Sequence, residues 1–96
     1  MPKQSINFSI PVSIFKERDA FVAYTPALDI STAAGTVAEV KKQFEELVMI
    51  FFEELEQRGT TIEVLESMGW EKTRSSWAAP VEVEHSIESF EVPARA

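Results

Sequence analysis

The residues able to do chemistry are few. His85 is the sole histidine, and a Ser-His-acid triad needs its base beside a nucleophile with an orienting group behind it. His85 falls in an alternating stretch on the same face as Val83 and Ile87, the setting of a partly buried structural histidine. The serines come without a G-x-S-x-G elbow. Glu45, Glu46, Glu53 and Glu54 crowd one helical segment, but helical two-metal sites combine inward glutamates with Glu-x-x-His pairs. This segment has no histidine, so the four read as a solvated face. Gly35, Gly59 and Gly69 each stand alone, which leaves no phosphate-cradling loop. Trp70 and Trp77, with Lys72 and Arg74 close by, offer rings for base stacking. The charge around them is acidic, and paired aromatics in a hairpin belong to a core. The expectation is a chain that is not an enzyme and takes no cofactor and no metal.

Charge points to a different kind of work. The 96 residues carry a net charge of −7. Phosphate binding needs clustered Lys and Arg, and here the nine basic residues are scattered, with only Lys41 and Lys42 adjacent. DNA binding by this chain alone is therefore not expected. An acidic surface favours basic partners and speeds encounter with them. The absence of cysteine removes disulfides and thiolate metal sites and fits a reducing cytoplasm. Met1 to Phe15 lacks the continuous apolar stretch of a signal peptide. The longest apolar run, Leu47 to Phe52, is too short to span a bilayer, so no membrane is expected. One thin-cored domain is the reading for this length, with oligomerisation a common supplement.

The elements that would position a binding surface follow from periodicity. Ile6, Phe8, Ile10, Val12 and Ile14 alternate with small or polar residues, the period of a half-buried strand. Pro11 belongs at a non-bonded or edge position of it. Lys16-Glu17-Arg18-Asp19 is a charged turn. Ala20 to Thr25 is a second strand, apolar on both faces: Phe21 and Ala23 on one, Val22 and Tyr24 on the other. A sheet covered on one side should be polar on the other, so the second face calls for a cover, either the C-terminal segment or another chain. Pro26 breaks the strand, and Leu28 to Thr32 reads as a third.

Thr36, with Glu39 three residues on, is a capping box. Val37, Val40, Phe44, Leu47, Val48, Phe51 and Leu55 form one apolar stripe, and Gly59 is the natural stop, so a helix is predicted over Val37 to Arg58. Met49 points well away from that stripe, while Ile50 and Phe52 flank it. Such surplus apolar surface fits a contact or a wide stripe under a curling sheet. Thr60 and Glu63 repeat the capping spacing and open a short helix that Gly69 ends. Trp70 to Ala79 forms a hairpin turning near Arg74-Ser75-Ser76. After Pro80, Val81, Val83 and Ile87 alternate with Glu82, Glu84 and Glu88, predicting one more strand. A bulge shifts its phase at Phe90 and Val92, and Pro93 stops it.

The run Phe21-Val22-Ala23-Tyr24-Thr25-Pro26-Ala27-Leu28-Asp29, followed by Gly35-Thr36 and a long acidic helix ending in Leu55 and Gly59, resembles the HicB-like family. The match covers about Ile10 to Gly59. Gly69-Trp70, Trp77, Pro80 and Val92-Pro93-Ala94 resemble a short subgroup of it. The resemblance implies a partial RNase H-like fold without the nuclease carboxylates. It also implies an antitoxin that binds and occludes a small basic mRNA-cleaving toxin, HicA-like, with a double-stranded-RNA-binding-like fold. Longer members carry a C-terminal operator-binding domain, for which the pattern after Gly59 leaves no room. They also carry Pro-Gly-Cys where this chain has Asp29-Ile30-Ser31.

The expected architecture is α+β: a small antiparallel sheet packed by one long helix, in the order β-β-β-α, short α, then C-terminal strands. It is one domain over 1–96, with its core in 5–59 and an extension in 60–96. The candidate partner-binding residues are Tyr24, Asp29, Met49, Ile50 and Phe52, with Tyr24 and Phe52 also open to a role in the core or a dimer. The surplus apolar surface and thin core predict a homodimer. The alternative function is an orphan homodimer of this fold with an unrelated protein partner.

Overall fold

The computed structural model describes residues 7–74 and 76–95. Three strands, β1 (Ser13–Glu17), β2 (Ala20–Thr25) and β3 (Ile30–Ala34), form an antiparallel sheet in the order β1-β2-β3. One long helix, α1 (Val37–Arg58), packs on β2 and β3. A short helix, α2 (Thr61–Ser67), lies against α1 and is followed by a two-stranded hairpin of β4 (Glu71–Lys72) and β5 (Trp77–Ala78). This is the α+β arrangement that the periodicities predict. No helix among the described residues is long and apolar enough to cross a membrane.

β1 and β2 pair from Ser13 opposite Tyr24 to Glu17 opposite Ala20. Arg18 and Asp19 are left as a two-residue turn, with Arg18 at φ 54°. Positive φ at such a turn matches the right-handed twist of the flanking strands. The alternation beginning at Ile6 predicts an earlier first strand than the one that forms. Pro11 has no N–H for a ladder, and pairing starts only at Ser13. Phe8 and Ile10 still pack on the core from irregular chain, Val12 stays exposed, and Ile6 lies outside the described residues.

The third strand also starts later than its expected Leu28. Asp29 sits at φ 53°, in the left-handed region that Asp tolerates better than most residues, and this turns the chain into β3. Leu28 is thus a buried turn residue. Two bonds hold the turn from its inner side. The Ala27 N–H donates to Thr25 Oγ1 at 3.3 Å, and Trp70 Nε1 donates to the Ala27 carbonyl at 2.9 Å.

α1 has the predicted bounds. Thr36 Oγ1 accepts from the Glu39 N–H at 3.1 Å, satisfying one orphan donor of the first turn. Gly59, at φ 66°, gives its N–H to the carbonyls of Glu56 and Leu55. The buried residues are Val40, Phe44, Val48, Phe52 and Leu55. Successive steps of four rotate about 40° around the axis, so the buried face turns along the helix. Leu47 and Phe51 end up half-buried and Val37 exposed.

The face turns toward an aromatic cluster at the end of α1. The Phe52 ring lies 4.7 Å from Phe8 and 6.1 Å from Trp70, and Phe8 lies 5.4 Å from Trp70. The Ser76 hydroxyl donates to the Asn7 carbonyl, tying the chain before β1 to the hairpin. α2 opens without a side-chain cap from Thr60. The Thr61 hydroxyl instead donates to Glu56 Oε1 at 2.6 Å. Gly69 ends this segment at φ 88°, a conformation that glycine adopts at little cost.

The strand predicted over Val81 to Val92 does not form. Residues 79–95 carry neither helix nor strand. A lone extended segment satisfies no ladder and buries no face, and among the described residues no strand pairs with it. His85 is in consequence exposed rather than partly buried, its Nδ1 3.1 Å from Glu82 Oε1.

Candidate functional site

The sequence-predicted residues fall in three places. Tyr24 and Asp29 come together. Ala23 and Thr25 are fully buried under α1, and alternation turns Tyr24 to the opposite side of the sheet. There its hydroxyl donates to Asp29 Oδ1 at 3.2 Å. Partial burial, reinforced by that hydrogen bond and by the carboxylate's charge, raises the Tyr24 phenol above its ordinary value of 10.0. The pair braces the β2–β3 turn from outside, as Trp70 does from within.

Met49 and Ile50 lie on the far side of the molecule from Tyr24. They stand on α1 away from the sheet, 58% and 53% exposed. Glu45, Glu46, Glu53 and Glu54 are exposed around them, one helical turn before and after. The result is an apolar centre with an acidic rim.

Phe52 does not join this surface. It is 8% exposed and belongs to the core, against Phe8 and Trp70. A helical wheel places it at the flank of the stripe, but the wheel has no knowledge of the chain before β1 or of Trp70, whose packing extends the core around that flank.

Two features of the surface escape a strand-by-strand reading. Phe15 is exposed on the outer sheet face, opposite Val22. Its phase, one residue from Ile14, is the signal that would have placed it there. The second feature is the C-terminal segment, where Val81, Val83, Ile87, Phe90 and Val92 are all exposed. Among the described residues no three His, Cys, Asp or Glu side chains come together as a metal site. The chemistry on offer is recognition, through apolar burial and complementary charge.

Fold and surface together define a small α+β protein with exposed apolar groups set among carboxylates. Compared with family models, curated proteins and solved structures, the chain matches none.

Proposed function

We propose that this chain is a non-catalytic protein-binding module of the HicB-like antitoxin type, covering a small basic mRNA-cleaving toxin. The observation that carries the proposal is the Met49–Ile50 patch with its glutamate rim. An RNA-binding protein presents a basic surface. A partner that masks it gains from complementary negative charge in encounter rate and in register, while affinity comes mainly from the desolvated centre. Met suits this role because its flexible thioether adapts to an irregular pocket. The resemblance of Phe21 to Gly59 to the HicB-like pattern supports the same reading.

The mechanism is steric occlusion without turnover. The toxin sits on the outer side of α1, and Tyr24 and Asp29, on the opposite side, keep the fold rigid rather than touch it. A partner that cuts mRNA places the pair in the cytoplasm.

The test is co-expression with a neighbouring small basic protein. That protein should arrest growth alone and be harmless when this chain is in excess. A doubly substituted chain, M49E/I50E, should fold normally and fail to protect. A neighbour that is harmless alone, or that stays toxic in the presence of excess wild-type chain, overturns the proposal. The orphan-homodimer reading, favoured by the exposed apolar C-terminal segment, would then replace it.

A further inference from the structure

The C-terminal segment leaves the body of the protein. The molecule measures 62 × 29 × 21 Å with a radius of gyration of 16.7 Å, where a compact chain of this length has about 12–13 Å. Val83 and Ile87 are 95% and 94% exposed. Alternating apolar and acidic residues form the pattern of a strand that lies on a sheet, and among the described residues this segment pairs with no strand of its own chain. The sheet in turn has a free edge. β3 lies under α1, with Gln43 Nε2 donating to the Ala33 carbonyl at 3.1 Å and lying 3.3 Å from Thr32 Oγ1. Among the described residues β1, the other edge by strand order, receives no such hydrogen bond from α1. Beside it runs a groove of about 280 Å³ lined by Val12, Ile14, Lys41, Phe44 and Glu45.

We infer that the protein is a homodimer built by arm exchange, in which residues 81–92 of each copy add a fourth strand to the β1 edge of the other. Two features of the chain select a second copy as the occupant. The arm is apolar at Val81, Val83 and Ile87 and, after a shift of phase, at Phe90 and Val92, and the groove beside β1 is apolar where it is lined by Val12, Ile14 and Phe44. Charge is neutral to the pairing: the arm carries Glu82, Glu84, Glu88 and Glu91, and the receiving region is mixed, with Lys16, Arg18, Lys41 and Lys42 beside Glu17, Asp19, Glu45 and Glu46. Arm, edge and groove are all present on every copy, the condition for a closed two-fold assembly. A twelve-residue arm with its receiving strand and groove, given and received by each copy, approaches the 20–30 residues a side of a specific interface. Main-chain pairing supplies affinity, and the side-chain alternation supplies register. The toxin plays no part in this inference.

The experiment uses the full chain. Analytical ultracentrifugation at tens of micromolar should give twice the 10.8 kDa of one chain. V83E/I87E, altered only at exposed positions, should give 10.8 kDa with an unchanged circular dichroism spectrum. The chain has no cysteine, so S86C takes a single nitroxide label. Labelled chain mixed with unlabelled nitrogen-15 chain should broaden the amide signals of Ser13–Glu17 in the unlabelled copy. A monomeric wild type overturns the inference. A dimer that survives V83E/I87E, or that broadens some other region, overturns it equally.

Discussion

Phe52→Ala tests the placement that separates core from surface on α1. Phe52 is 8% exposed, with ring centroids 4.7 Å from Phe8, 5.5 Å from Phe51 and 6.1 Å from Trp70. Truncating a buried Phe costs about 3–5 kcal/mol. The upper part of that range applies here because Phe8 is held by no strand and loses its nearest ring. A domain of this size has a total margin of about 5–15 kcal/mol, so the variant should lose from about a third to nearly all of its stability at 25 °C. Met49→Ala, three residues away but exposed, should shift stability by no more than about 0.5 kcal/mol. Urea titration followed by circular dichroism measures both, with the midpoint reporting stability and the slope reporting the surface exposed. A Phe52→Ala midpoint equal to wild type, with a large loss in Met49→Ala, would mean that α1 is rotated and that the proposed partner surface faces inward.

Three smaller perturbations probe other parts of the account. Thr36→Ala removes the acceptor of the Glu39 N–H and should cost about 1 kcal/mol in the same urea assay. Trp70→Phe leaves the buried Ala27 carbonyl without its 2.9 Å donor and should cost about 1–3 kcal/mol. Ultraviolet titration of the sole tyrosine should give a midpoint above 10.0, and Asp29→Asn should lower it. Because the folded value lies above the unfolded one, the contribution of Tyr24 to stability is full below the unfolded value and is lost as pH rises through the folded one.

Local signals predicted the parts of the fold that local chemistry controls. Thr36 and Gly59 mark the ends of α1 because a cap and a left-handed stop act within a few residues. The bounds of β2 follow from the charged turn before it and Pro26 after it. The misplaced pieces depend on something distant. β1 begins at Ser13 because its register is set by pairing with Tyr24, although the alternation before it is equally regular. Asp29 carries no sequence mark to say that it adopts positive φ, so the start of β3 was not legible. Phe52 is core because Phe8 and Trp70 meet it, a contact that no periodicity contains. The segment from Val81 to Val92 has the alternation of a strand, but a strand exists only with a neighbour. Of the candidate site, Tyr24 and Asp29 were legible only as members of one family-like run, and Met49 and Ile50 through their angle on the helix; the Tyr24–Asp29 contact depends on the turn at Asp29. That the two pairs occupy opposite sides of the molecule required the sheet.

The central claim is recognition of a small basic protein through the acid-rimmed patch on α1. Its most direct measurement is isothermal titration of this chain with any small basic protein encoded beside it, purified. The account predicts saturable binding by wild type, at least tenfold weaker binding by M49E/I50E, and little change with Asp29→Asn. No heat with wild type, or equal affinity for wild type and M49E/I50E, would contradict it.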